Sequence, residues 1–151
     1  MSNTQAMCTS FKGELLTGTH NFGTAPTRAT TAADTFKAAL YLTTATINAS
    51  TTAYTATGEV SGTGYSAGGV TVTFGTAPST SGTTAFVTPS ASITYSSVTL
   101  PTAFDCVLIY NSTQSNKAVS VHTFGSQTVT AGTFTLTMPT NDASTGLIRL
   151  A

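Results

Sequence analysis

Short segments in which apolar and polar residues alternate recur along this chain. Residues 70–74 (VTVTF) and 134–138 (FTLTM) alternate strictly, and residues 91–100 come close to the same pattern. A period of two places alternate side chains on opposite faces of a sheet and is typical of half-buried strands. About eight such strands, separated by glycine, proline and serine turns, predict an all-β fold: a β-sandwich, a jelly-roll-like domain or a partly closed barrel.

Other segments complete this prediction. Residues 36–42 (FKAALYL) form the first clear strand, and the continuously apolar residues 106–110 (CVLIY) indicate a strand buried on both faces. Pro101 is expected to end one strand, because proline cannot donate to a ladder. A turn is expected at residues 125–126, Gly132 precedes the alternating residues 134–138, and the last strand covers residues 147–150.

The N-terminal region has a different character. Residues 1–10 are polar and predict a flexible arm, so residues 11–151 are expected to form one β-rich domain. Residues 11–16 (FKGELL) have apolar residues spaced for at most one short helix, with Ser10 as a plausible N-cap. Residues 17–33, rich in threonine, glycine and alanine, are expected to form a loop.

The chain carries very little charge. Charged residues make up 7% of it and cancel to a net charge of zero. The basic residues are scattered singly and make no patch for nucleic acid or for a membrane surface: Lys12, Arg28, Lys37, Lys117 and Arg149. Since little electrostatic repulsion separates copies of such a chain, self-association is expected.

The first residues (MSNTQ) contain neither a basic region nor an apolar run, which predicts synthesis in the cytoplasm without a secretory signal. Cytoplasmic thiols are kept reduced, so Cys8 and Cys106 are expected to be unpaired. Cys106 lies within the apolar strand and is expected to be a buried small hydrophobe.

The candidate catalytic residues favour no enzyme. His20 and His122 lack the cysteine, histidine or acid spacing of a metal site, and His122 is expected at the surface or in a subunit contact. No Gly-x-Ser-x-Gly elbow accompanies the many serines. Glu59 and Asp105 are a conceivable glycosidase pair. The preferred interpretation is that Asp34 and Asp105 cap or start strands and that Glu59 makes backbone or subunit contacts. The remaining acids are Glu14 and Asp142. No cofactor is expected.

A glycine-rich segment covers residues 58–69 (GEVSGTGYSAGG). It lacks the Gly-Lys-Ser/Thr ending of a phosphate-binding loop, so its glycines are expected to serve backbone shape. The residues assigned to this structural loop are Gly58, Glu59, Gly62, Gly64, Tyr65, Gly68 and Gly69. A β-branched residue at Gly64 or Gly68 is expected to cost about 1–3 kcal/mol if φ is positive there.

Several segments follow one another in the order found in a known family: FKGELL (11–16), HNF (20–22), DTFKAALY (34–41), residues 58–69, LIYN (108–111), FG (124–125) and GTFTL (132–136). In these segments the chain resembles small structural proteins of tailed-bacteriophage virions. The glycine-rich segment is the most specific part of the resemblance. Residues 76–88, a threonine- and serine-rich insert, depart from the family pattern because they contain no distinctive motif.

The resemblance implies a virion protein without catalytic residues, similar to the cement or decoration proteins that bind the outer capsid surface. Its partners would be the major capsid protein lattice and two further copies of itself in a homotrimer. Alternatives are a tail, neck or fibre component, or a host-surface module that binds glycan. Five tyrosines and no tryptophan make a strong sugar-stacking platform less favourable.

Overall fold

The computed structural model describes residues 2–16, 18–22 and 33–151. In this part of the chain the elements are β1 (Ala6–Met7), α1 (Thr9–Leu16), β2 (Phe36–Leu42), β3 (Val70–Val72), β4 (Ser79–Ser81), β5 (Thr84–Val87), β6 (Ile93–Asn111), β7 (Lys117–Leu136) and β8 (Ile148–Leu150). They form a five-stranded antiparallel sheet, in the order β1-β7-β6-β2-β3, and a three-stranded one, β4-β5-β8. The all-β prediction with one short helix is confirmed.

A long hairpin of β6 and β7 dominates the larger sheet. Its strands contain 19 and 20 residues and pair from Asn111 opposite Lys117 to Ile93 opposite Leu136. The predicted strand end at Pro101 and the predicted turn at 125–126 are therefore wrong. The strands continue because the pairing shifts register near these positions, so an irregular ladder accommodates a proline and two glycines.

The centre of the sheet agrees with the sequence. β2 has the predicted bounds and lies between β3 and β6. Residues 106–110 of β6 are all buried: β2 and β7 pair with the two edges of this stretch, and its five side chains belong to the apolar core. Val87 of β5 and Ile148 of β8 belong to the same core, so the smaller sheet shares it.

The N-terminal segment does not form the predicted flexible arm. Residues 2–10 pack against the domain: β1 pairs with Ser120 and Val121 of β7, and the backbone N–H of Thr4 donates to Ile47 O at 3.0 Å. Cys8 is fully buried in the core. Backbone pairing, the side-chain bonds of Asn3 and the burial of Cys8 together hold this segment, which its polar composition does not reveal.

The helix begins two residues before its predicted start, at Thr9, and ends at Leu16 as predicted. Met1, Arg28 and most of the loop predicted for residues 17–33 lie outside the described residues. In the described part of the chain, no helix is long and apolar enough to cross a membrane.

Candidate functional site

The glycine-rich segment, residues 58–69, lies along strands β2 and β6. Its backbone bonds to β2 on both sides of Glu59: Leu42 N–H donates to Gly58 O at 2.9 Å, and Val60 N–H donates to Leu40 O at 3.0 Å. Further along, Thr99 N–H donates to Thr63 O at 2.9 Å. The segment therefore serves as an irregular strand that satisfies backbone groups of the sheet.

Two glycines show why this close approach needs glycine. Gly69 has a φ of +72°, and a Cβ there would lie 1.6 Å from Ala38 O. Gly64 has a φ of +79°, and its Cβ would lie 2.3 Å from Ser97 O. Both the backbone conformation and the space exclude a side chain. Positive φ also occurs at Gly58 and Gly68, whereas Gly62 has an ordinary φ and only the steric restriction.

The Glu59 carboxylate closes the segment on itself. Its Oε2 accepts a hydrogen bond from the Tyr54 hydroxyl at 2.6 Å, and its Oε1 accepts from the Tyr65 hydroxyl at 2.8 Å and from Gly68 N–H at 2.7 Å. The Tyr65 oxygen in turn accepts from Leu40 N–H at 3.0 Å. One half-buried carboxylate thus ties the two ends of the segment together and to β2.

The other candidate carboxylate, that of Asp105, bonds to the N-terminal segment. Asp105 Oδ1 accepts from the side-chain amide of Asn3 at 2.7 Å. Glu59 and Asp105 are bonded by separate parts of the chain, and each bond supports local structure. Of these bonds only that from Gly68 N–H to Glu59 is the expected backbone contact, and the others join side chains.

Two more tyrosines bond to the backbone around the glycine-rich segment. The Tyr95 hydroxyl donates to Ala38 O at 2.8 Å, beside the point where Gly69 approaches β2. The Tyr110 hydroxyl donates to Gly68 O, also at 2.8 Å. Both hydroxyls come from β6, the strand that also carries Thr99. This strand therefore bonds to the segment at two points, Thr63 and Gly68.

All five tyrosines of the chain surround this segment, and we call them the tyrosine cluster: Tyr41, Tyr54, Tyr65, Tyr95 and Tyr110. Tyr54 stacks on Tyr110 with ring centroids 4.9 Å apart, and Tyr65 stacks on Tyr95 at 5.9 Å. Burial raises the pKa of every one of the five hydroxyls. For Tyr54 the pKa reaches about 12, with the bond to Glu59 adding to burial.

A second polar group lies between α1 and the β6–β7 turn. Glu14 bonds to His20 Nε2 at 2.7 Å and to Lys117 Nζ at 2.6 Å. Burial raises the pKa of Glu14, but the hydrogen bonds from Lys117 and His20 outweigh it, so the pKa is lowered overall. This ion pair joins the helix to the start of β7 across 103 positions of sequence.

The polar group around Glu14 also contacts β6, through His20. The Nδ1 atom of His20 lies 3.1 Å from Asn111 Nδ2, and this side-chain amide donates to Asp34 Oδ2 at 2.7 Å. The amide oxygen of Asn111 accepts from the backbone of Thr113 and Gln114, which fixes the amide orientation. His20 Nδ1 is therefore the acceptor, and its Nε2 donates to Glu14. The side chain of His20 is fully buried, so this group joins elements of the fold.

His122 is more enclosed than the surface position expected for it. It lies in a cleft of about 200 Å³ between β1, β7 and β8, with Nε2 2.9 Å from Ser120 Oγ. Burial lowers the pKa of His122 to about 4, so it is neutral at physiological pH. Ser120 is only 3% exposed. Among the described residues, no group of three or more His, Cys, Asp or Glu side chains could hold a metal ion.

The two cysteines are free thiols, as expected. Burial raises the pKa of Cys8 to about 11 and that of Cys106 to about 12, with smaller contributions from Glu14 and Asp105 respectively. Because the thiolate is the reactive form, both groups are unreactive near neutral pH.

Sequence reasoning identified the glycine-rich segment but missed the tyrosine cluster and the group around His20. Their members are far apart in the chain and have no common spacing, so only the fold brings them together.

No family model, no curated protein and no solved structure matches the chain.

Proposed function

We propose that this protein is a structural subunit of a phage particle, a cement protein that binds the outer capsid surface and stabilises the shell. The observation that carries the structural role is the closed bonding of the glycine-rich segment. Both oxygens of Glu59 and the hydroxyls of the tyrosine cluster bond to one another or to backbone. The most distinctive motif of the sequence is thus bonded internally, to itself and to β2 and β6. The phage context comes from the resemblance of the chain to virion proteins.

The surface chemistry supports an assembly role. No charged residue occurs between Lys117 and Asp142, and most of the exposed residues of β7 are threonine, serine, glycine or glutamine. Such a surface has little desolvation cost from charges when it meets another protein. A subunit that binds only the assembled lattice stabilises that lattice by mass action, and repetition over many copies raises the avidity.

Particles that lack the protein test this function. We expect them to assemble but to release their genome at a lower temperature than parental particles, because the lattice has lost a ligand of its assembled state. Adding purified protein to the depleted particles should restore the parental release temperature. Release is measured by the fluorescence of a DNA-binding dye during heating.

The opposite result would favour the other structural roles. If depleted particles are as heat-resistant as the parent but fail to attach to host cells, the cement function is wrong. A tail or fibre component, or a module that binds host-surface glycan, would then replace it.

A further inference from the structure

The outer edge of β7 is open over most of its length. β6 pairs with one side of β7, and β1 covers the other side only at Ser120 and Val121. From Thr123 onward, no strand in the described part of the chain pairs with this edge. Unpaired edges of this length present rows of N–H and C=O groups to other chains, and proteins normally protect them with charge. This edge carries no charged residue.

Burial differs between the two strands of the hairpin. The apolar residues of β6 that face the core in this region are 3% exposed or less, as at Leu100 and Phe104. Their counterparts on β7, Phe124 and Val129, remain partly exposed although they pack against the core. A strand added at the edge of β7 would cover these side chains.

The length of the free β7 edge and the positions of its irregular stretches indicate which strand can pair with it. The other outer strands described, β1, β3, β4 and β8, have two or three residues and cannot match it. A second β7 can. Antiparallel pairing centred on Thr128 sets the irregular stretch near Gly125 of one copy opposite the irregular stretch near Ala131 of the other. It also sets Phe124 opposite Gly132, a cross-strand combination in which the aromatic ring covers the glycine.

We propose that two copies of this chain associate through their β7 edges, residues 123–133, around a twofold axis at Thr128. The contact is self-complementary, as a twofold interface requires. Eleven residues span about 35 Å of strand, which places the interface at the small end of specific contacts. We therefore expect a dimer that forms at tens of micromolar and dissociates on dilution. This association does not depend on shell binding.

A charge exchange at the axis tests the proposal. Thr128 is exposed, and in the pair its two copies face each other. Thr128→Lys alone and Thr128→Glu alone should each be monomeric at 50 μM, since like charges meet at the axis. Mixing the two variants in equal amounts should restore a dimer. Thr94→Lys is the matched control, because Thr94 is also exposed on the hairpin but lies on β6. It should remain dimeric.

Sedimentation equilibrium at 50 μM gives the mass without diluting the sample, and circular dichroism confirms that each variant is folded. A wild-type monomer at 50 μM, a trimer, or a dimer that Thr128→Lys leaves intact would overturn the β7 contact. The trimer would instead agree with the family resemblance. None of these results bears on genome release from depleted particles, so the two proposals fail separately.

Discussion

Replacing Gly69 by alanine is expected to destabilise the protein by about 2–5 kcal/mol. A positive φ costs a non-glycine residue about 1–2 kcal/mol, and forcing a methyl group into a packed site costs about 1–3 kcal/mol more. At Gly69 both costs apply, since φ is +72° and the added Cβ would lie 1.6 Å from the backbone oxygen of Ala38. Urea unfolding followed by circular dichroism measures the loss.

Gly82 provides the matched control. It also has a positive φ, +58°, but a Cβ there would meet nothing within 4 Å. Gly82→Ala is therefore expected to cost only the conformational part, about 1–2 kcal/mol. Equal losses for the two variants would show that the glycine-rich segment is not packed against β2 and that its glycines act as a flexible linker.

The tyrosine cluster is expected to resist ionisation until the protein unfolds in alkali. Unfolded tyrosines lose their protons near pH 10, whereas the folded protein holds all five hydroxyls protonated to higher pH. Between these values the unfolded state binds fewer protons than the folded state. Stability is therefore fully present below about pH 10 and falls as pH rises toward and beyond 12, the pKa of Tyr54.

Absorbance at 295 nm during a pH titration follows the phenolates directly, since the chain has no tryptophan. We expect little phenolate at pH 10.5, followed by a steep rise that coincides with loss of the β-sheet circular dichroism signal. The same titration in concentrated urea should give a simple curve centred near pH 10. If two or more tyrosines ionise near pH 10 while the sheet signal is unchanged, the cluster is not closed as described.

The parts of the fold that sequence predicted are those decided by local pattern. β2 has its predicted bounds, and residues 106–110 are buried on both faces, as expected of a continuous apolar run, which needs cover on both faces of its sheet. The positive φ at Gly64 and Gly68 likewise follows a local signal, since a dense run of glycines indicates unusual backbone.

The parts that sequence did not predict depend on distant contacts. Pro101 and Gly132 are ordinary strand breakers, yet the hairpin continues through both because bulges in its partner strands absorb them. Glu59 meets Tyr54 and Tyr65 through loop closure that no periodicity encodes. Residues 2–10 have an arm-like composition but are held by bonds to strands and loops far along the chain.

A cryo-EM map of the whole particle tests the central claim most directly, because it gives location and copy number together. We expect density that fits the β6–β7 hairpin on the outer surface of the shell, bridging neighbouring capsid subunits. Density for this domain in the tail, neck or fibres, with an uncovered shell, would contradict it.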